Sequence, residues 1–427
     1  MASPGRAQST FWPDSHNLFD AVKDMPIGES ALLSFSGEFR ERFESYTPPS
    51  FGLFGTKSDQ YLLQRILFGA DLRVRKSFRA YVQLIHAVQV GRNPVGATDS
   101  DHTDFAQAFL EISVPIGEGR GPALRAGRQE VALGSARLVS TRDGPNVRRA
   151  FDGFRLLFAN DDVAIDGLAL RPVTVRDGAF DDTTDQSQAL WGLYTTWPVR
   201  FVPGLFADLY YLGFENLQAI YGGARGVEQR QSVGIRLFGT AGGWDWNFEG
   251  VYQFGSFANR IIDAWTVASD TGFTFIGLPW KPRLGLKANI ASGDEGGSGR
   301  LGTFNPLYPR LPYFSEANLI VPANFFDIYP SLQVHPTESL TLAVGWDFLW
   351  RQSLSDAVYG PPFVAYPRTN LSRGRAIGSQ ISVEARWQAT PHLALAASYV
   401  HFFAGETITQ AGGTDVDFFM VSASFRF

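Results

Sequence analysis

Residues 125–155 read RAGRQEVALGSARLVSTRDGPNVRRAFDGFR and set seven arginines against three acids with no lysine. A guanidinium is planar, always charged and forked to match a carboxylate, so the cluster suits an anionic ligand. A solvated, salt-bridged loop is the plainer reading. Both ends of the stretch look like β-strands and its middle like a loop. At the second end Phe154, Leu156 and Phe158 share one face and Gly153, Arg155 and Leu157 the other, so Arg155 must point at something polar.

What surrounds the arginines follows from period two. Leu33, Phe35, Gly37 and Phe39 alternate with Ser34, Ser36, Glu38, Arg40 and Arg42, the pattern of a half-buried strand. Ile66, Phe68, Ala70, Leu72 and Val74 oppose Arg65, Leu67, Gly69, Asp71 and Arg73. Trp244, Trp246, Phe248, Tyr252 and Phe254 oppose Asp245, Asn247, Glu249 and Gln253. Aromatic residues make up 14% of the chain, and there are 44 glycines and no run of about 18 apolar residues, so a transmembrane helix is excluded. A soluble sandwich also alternates, but here the polar faces hold paired arginine and acid. That combination fits an outer-membrane β-barrel.

Read this way, the chain predicts about eighteen strands, starting near residues 31, 61, 78, 104, 122, 151, 163, 188, 204, 228, 243, 260, 281, 325, 339, 375, 392 and 415. Short connections such as 76–77, 160–162, 240–242, 336–338 and 389–391 alternate with long ones at 44–60, 91–103, 133–150, 174–187, 292–324, 353–374 and 404–414. An up-and-down antiparallel barrel in the bacterial outer membrane has short periplasmic turns and long outer loops, which puts both termini in the periplasm. The expected division is a periplasmic segment over residues 1–30 and a barrel over 31–427. The order of short and long fails between residues 256 and 281, and the register there stays open. The last strand ends in a C-terminal Phe427, as bacterial outer-membrane barrels do.

Eighteen strands enclose a lumen wide enough for water. Parity turns Arg40, Arg42, Arg65, Asp71, Arg73, Arg155, Arg230, Arg236, Arg283, Lys287, Glu384 and Arg386 inward. A basic ring in a low-dielectric wall selects anions; wall arginines and acids that merely brace each other are the alternative. Parity leaves residues 122–132 undecided, since Arg128 and Glu130 share a face with Leu124 and Ala126, whereas Arg125 goes with Gly127, Gln129 and Val131.

The segment from Gly127 to Phe158, GRQEVALGSARLVSTRDGPNVRRAFDGFRLLF, resembles the characteristic segment of the alginate export family, in which G-R-Q-E, R-L, R-D, N-x-x-R and F-D-G-x-R recur. FADLYYLGFEN from Phe206 and TFNPLYPRLPYF from Thr303 are further matches. The resemblance implies an eighteen-stranded barrel, monomeric, passing an anionic polysaccharide such as a polyuronate through an electropositive constriction. It implies a periplasmic scaffold protein as a partner and puts Arg128, Glu130, Arg142 and Arg149 at or near the constriction. Arg137 and Arg155 match the motif without a clear role. The 292–324 segment is either an inward-folding loop or an ordinary outer one.

Other functions find little support. There is no cysteine, so no disulfide, thiol catalysis or Cys-ligated zinc, and a net charge of -5 argues against nucleic acid as a partner. Lysine is five of the 37 basic residues. No nucleophile, zinc, phosphate-loop or dinucleotide motif occurs, no cofactor is expected, and the six histidines lack metal-ligand spacing. Asp99, Asp101 and Asp104, with Asp177, Asp181, Asp182 and Asp185, offer oxygen ligands at short spacing; a solvated acidic loop reads the same. The expected function is passive export of an acidic exopolysaccharide, not catalysis. Uptake of anionic oligosaccharides or small acids by a porin of the same shape is the alternative, and an outer-membrane hydrolase using a serine with His335 or His401 is the remote one.

Overall fold

The computed structural model describes residues 19–116, 121–297 and 299–427. Eighteen antiparallel strands close into a barrel. They are β1 (Ala31–Thr47), β2 (Asp59–Val74), β3 (Phe78–Val90), β4 (Asp101–Ser113), β5 (Ala123–Gln129) and β6 (Phe151–Ala159). Then come β7 (Ala164–Thr174), β8 (Gln188–Pro198), β9 (Leu205–Tyr221), β10 (Ala224–Ala241), β11 (Trp244–Phe257) and β12 (Arg260–Thr274). The last are β13 (Arg283–Ala291), β14 (Phe325–Val334), β15 (Leu340–Trp350), β16 (Ala376–Gln388), β17 (Leu393–Ala404) and β18 (Val416–Arg426). Each strand pairs with its sequence neighbours, and β1 pairs with β18 from Glu38↔Arg426 to Thr47↔Asp417. Closure leaves no edge strand, which is what lets a sheet cross hydrocarbon with every backbone group satisfied.

Alternation supplies the two faces. Phe39, Ile66, Phe68, Leu124, Phe154, Leu156, Ile235 and Val383 are exposed on the outside, where lipid would cover them. Glu38, Arg40, Arg42 and Glu44 of β1 and Arg65 of β2 are buried on the inside. Where the chain ends, Phe427 exchanges backbone hydrogen bonds with Gly37 at 3.2 and 3.1 Å. Its ring fills the place a side chain at residue 37 would take, so any larger residue there would have to displace the ring. Phe19 stacks on Phe427 at 4.5 Å between centroids, and Met25–Ile27 pairs with the start of β1. Both described chain ends therefore lie at the end of the barrel that carries the short turns. Residues 1–18 of the expected N-terminal segment lie outside the described residues.

The strand starts match the expected ones within a few residues, including the stretch that periodicity left open. Ala258 and Asn259 form a tight turn between β11 and β12 on the long-loop side, as Gly222 and Gly223 do between β9 and β10. Two outer connections are thus as short as the turns, which is why the alternation of lengths broke there.

The long-loop end is packed over. Phe51 of the first loop is fully buried, edge-on to Phe402 at 4.9 Å and Tyr366 at 5.4 Å. Arg351 is equally buried and donates to the carbonyls of Thr369 and Ser372 at 2.8 Å, Leu354 at 3.1 Å and Asp356 at 3.3 Å. One guanidinium so organises the 351–375 loop by satisfying carbonyls no strand pairs.

Candidate functional site

Two loops fold into the lumen and cross it. The 130–150 loop is held on one wall by β1 and β2. Arg40 donates to Asp143 O at 2.7 Å and Pro145 O at 3.0 Å, and Arg65 meets the Asp143 carboxylate at 2.8 Å and Glu38 Oε1 at 2.8 Å through Nε. Its other end reaches β11, half-way round the ring, where Ser135 donates to Glu249 at 2.5 Å and Arg137 donates to Glu249 at 2.7 Å and Asn247 at 3.2 Å. Gly134 comes so close to Tyr194 that any side chain would collide. The 292–324 loop makes the same crossing. Asn305 donates to Glu228 at 3.2 Å and to Tyr221 at 3.0 Å, whereas Glu316 pairs with Arg42 at 3.1 Å and Ser315 donates to Gln380 at 2.8 Å. The two loops meet where Tyr308 N donates to Leu138 O and Arg310 N to Ala136 O, both at 2.8 Å. The 292–324 segment is therefore an inward-folding loop.

Most inward arginines have acid partners. Arg65 sits between Glu38 and Asp143, Arg155 is paired with Asp166, Arg236 with Asp208 at 2.7 Å, Arg230 with Glu228 at 2.6 Å, and Arg73 and Arg79 share Asp71 at 2.7 and 2.8 Å. Arg386, mostly exposed, meets Glu384 at 2.8 Å and Glu316 at 3.8 Å. Within the crossing loop, Arg148 meets Asp143 at 2.7 Å, Glu38 at 3.0 Å and Glu130 at 3.6 Å. Burial would raise the Asp143 carboxyl, but Arg148, Arg65 and Arg40 outweigh it and hold it well below its usual range. Glu130 has less compensation, and burial leaves it raised despite Arg148 and Arg65. These pairs are already neutralised.

Arg142 and Arg149 differ. Neither makes an ion pair or a side-chain hydrogen bond among the described residues, and the Nε of each is buried without a partner; Arg40 also lacks an ion pair, but its guanidinium is bonded to the Asp143 and Pro145 carbonyls. Arg142 is 7% exposed, and burial, followed by the charge of Arg149, pushes it down to about 9; burial lowers Arg149 too. They line a cavity of about 350 Å³ with Gln188, Asn305, Tyr308 and Phe363. Arg149 lies 4.8 Å from the centre of the Tyr308 ring, and that ring is fixed by Phe151 and Phe214 and by a hydrogen bond from its hydroxyl to Gln188 at 2.9 Å. Glu228 in the same wall is taken by Arg230 and Asn305. Arg142 is buried and Arg149 half-buried with only the more distant Asp185 acting on it, so two cations with no paired acid are costly to hold together, and a carboxylate entering the cavity would meet both forks. A second hollow of about 60 Å³ at the other end of the crossing holds Lys287, Arg310, Arg137 and Tyr313.

The model of the family described as "Alginate export" matches residues 31–422, nearly the whole barrel and both inward loops. The chain belongs to the alginate export family. It is an outer-membrane channel, located in the outer membrane. Among solved structures it is similar in fold to OccAB4 of Acinetobacter baumannii, at 11% identity and a TM-score of 0.64, with 92% of this chain and 98% of that one covered. OccD3 (OpdP) of Pseudomonas aeruginosa gives 13%, 0.62, 92% and 91%, and OccK11 (OpdR) of the same organism 12%, 0.60, 92% and 96%. No curated protein matches the chain.

The family segment is split by the fold. Glu130, Arg137, Arg142 and Arg149 all lie in the crossing loop, and Arg155 follows on the inner face of β6. Arg128 does not join them. In the β5–β6 ladder it stands opposite Asp152, on the face that carries exposed Leu124, Leu156 and Phe154. It meets Asp152 at 3.0 Å and Asp104 at 3.3 Å and donates to Asp182 O at 3.2 Å, beneath the 175–187 loop. Its expected place at the inner site is therefore corrected: period two, running from lipid-facing Leu124, turns it outward. The residues missed from sequence are Tyr308, Asn305 and Arg310, although they sit in the TFNPLYPRLPYF stretch that carried part of the resemblance. His335 and His401 hydrogen-bond Gln333, Thr341 and Asp417, with no serine hydroxyl on either ring among the described residues.

Proposed function

We propose that this channel passes an acidic polysaccharide, a uronate polymer, and that Arg142 and Arg149 are the point at which each passing carboxylate is recognised. The observation that carries the reading is the pair itself: two guanidiniums without a counter-ion, in a cavity whose aromatic wall, Tyr308 and Phe363, suits the flat face of a sugar ring. The loops that hold the pair span the lumen, so a solute using the channel meets them. Arg65, Arg137, Arg155 and Arg236 act differently in this reading. They are braced by acids and fix the loops and wall, so the arginine-lined constriction is narrower in membership than the charge cluster suggests. With the short-turn end facing the periplasm, a polymer would enter there and leave past the packed loops, delivered by a periplasmic scaffold.

A cavity of about 350 Å³ beneath a packed outer end also fits a short acidic sugar or small acid moving inward. Block of ion current by defined uronate oligomers separates the two. Polymer export requires block that tightens with length and occurs from the short-turn side. Uptake of small acids predicts that a monomer blocks as well as an octamer. Absence of block by either, at millimolar ligand and low salt, would sink both.

A further inference from the structure

We propose that Asp101, Asp104 and Asp182, with Asp181 beside them, form a binding site for a divalent cation of the Ca²⁺ class that ties the 175–187 loop to the end of β4. Asp101 opens β4 and Asp104 follows it through an irregular stretch of the β3–β4 ladder, while Asp182 comes from a loop about 80 residues further on. One oxygen from each of the three lies within 4.8 Å of the others. Two ligands each about 2.4 Å from one Ca²⁺ can be at most about 4.8 Å apart, so every pair of these oxygens is close enough to share one ion.

Proximity alone would describe any acidic patch. The second observation is Asp101: it is fully buried, and neither of its carboxylate oxygens has a hydrogen-bond partner. Leaving a carboxylate in that condition is among the costlier arrangements a protein can hold. The cation that is present, Arg128, reaches Asp104 at 3.3 Å and Asp182 at 3.9 Å and is further engaged by Asp152 at 3.0 Å; among the described residues no ion pair reaches Asp101. Asp181 adds a buried Oδ1 that is likewise unpartnered. One guanidinium thus faces more than its own charge in acids, and the surplus points at one spot.

The surroundings look like a site held open. Asp104 Oδ1 accepts from Phe105 N at 2.6 Å and its Oδ2 from Asp182 N at 2.9 Å, and Asp182 Oδ1 accepts from Arg176 N at 2.7 Å. These bonds orient the carboxylates and leave a second lone pair on Asp104 Oδ2 and on Asp182 Oδ1, Asp104 Oδ1 being shared with Arg128. Hard oxygen donors without nitrogen or sulfur suit Ca²⁺ over a transition metal, and their mixed origin suits a flexible coordination shell over the strict octahedron of Mg²⁺.

The test uses the full chain purified in detergent, stripped with a chelator and titrated calorimetrically with CaCl₂. Saturable binding at one site is expected, in the range of about 10⁻⁴ to 10⁻³ M typical of extracellular Ca²⁺ modules, with MgCl₂ weaker. Asp101→Asn and, separately, Asp181→Asn should weaken it at least tenfold, with heat-modifiable migration on gels confirming that each variant is a folded barrel. In parallel, Ca²⁺ should slow tryptic cleavage after Arg176 several-fold in the parent and not in Asp101→Asn. No saturable heat in the parent, or Asp101→Asn binding as tightly as the parent, overturns the proposal and leaves Asp101 a buried protonated acid. The outcome is independent of what the channel carries.

Discussion

Replacing Arg149 by glutamine removes one of the two unpaired guanidiniums while keeping a polar, though shorter, side chain beside Tyr308. At an effective dielectric of about 20, a carboxylate about 4 Å from one guanidinium is attracted by about 4 kcal/mol. Desolvation returns part of that, and a charge-assisted hydrogen bond nets about 1.5–3 kcal/mol. With about 1.4 kcal/mol per tenfold, Arg149→Gln should weaken uronate block about ten- to hundredfold, and Arg142→Gln likewise. The assay is single-channel current in planar bilayers with a uronate octamer added to the short-turn side. Stability supplies an internal check. Removing a cation that has no paired acid should leave the thermal midpoint unchanged or higher, whereas Arg65→Gln should lower it, because Glu38 and Asp143 lose the fully buried one of the cations they share, Arg148 being among those that remain. Block unchanged within twofold in both Arg142→Gln and Arg149→Gln would refute the reasoning, and a marked loss of stability in those variants would show that they are braces after all.

Other consequences are open to the same methods. Arg128→Gln should leave ion selectivity as in the parent, since that side chain is on the outward face; a lost anion preference would show that the wall transmits its charge to the lumen. Gly134→Val should push the crossing loop off Tyr194 and raise conductance, in part because residue 134 also has φ +51°; an unchanged conductance would mean that the loop does not limit flow. Acid should act late. Asp143 is held below its ordinary value of 3.8, so its contribution to anchoring the loop is fully present above that value and is lost only as pH falls further. Glu130, raised by burial, works in the opposite sense, favouring the packed loop as it protonates. Conductance should therefore stay steady from pH 7 to about 4 and rise only below; an increase beginning at pH 6 would contradict this.

What the chain reveals on reading divides along the same physical line as the barrel itself. Strands were legible because each has one face for lipid and one for the interior, so Phe68 beside Arg65 or Phe39 beside Arg40 carries a period-two signal wherever pairing is regular. Arg128 was ambiguous because β5 is short and Gly127 and Gln129 give no apolar contrast to its neighbours. The crossing loops carry no period, so nothing in residues 130–150 separates Arg137, which finds Glu249 on the opposite wall, from Arg142, which pairs with no acid among the described residues. Only the three-dimensional pairing distinguishes a braced arginine from a free one. The meeting of Asp101 with Asp182 was hidden for a related reason, as it depends on where the 175–187 loop lies along the wall.

The most direct test is the reversal potential under a KCl gradient across a bilayer holding the unaltered channel and, separately, the Arg142→Gln, Arg149→Gln double variant. The parent should favour chloride clearly and the double variant should move most of the way to equal permeability, at matched insertion and unit conductance. Equal permeability of cation and anion in the parent, or the same anion preference in both proteins, would contradict the claim that the unpaired guanidiniums set what this channel passes.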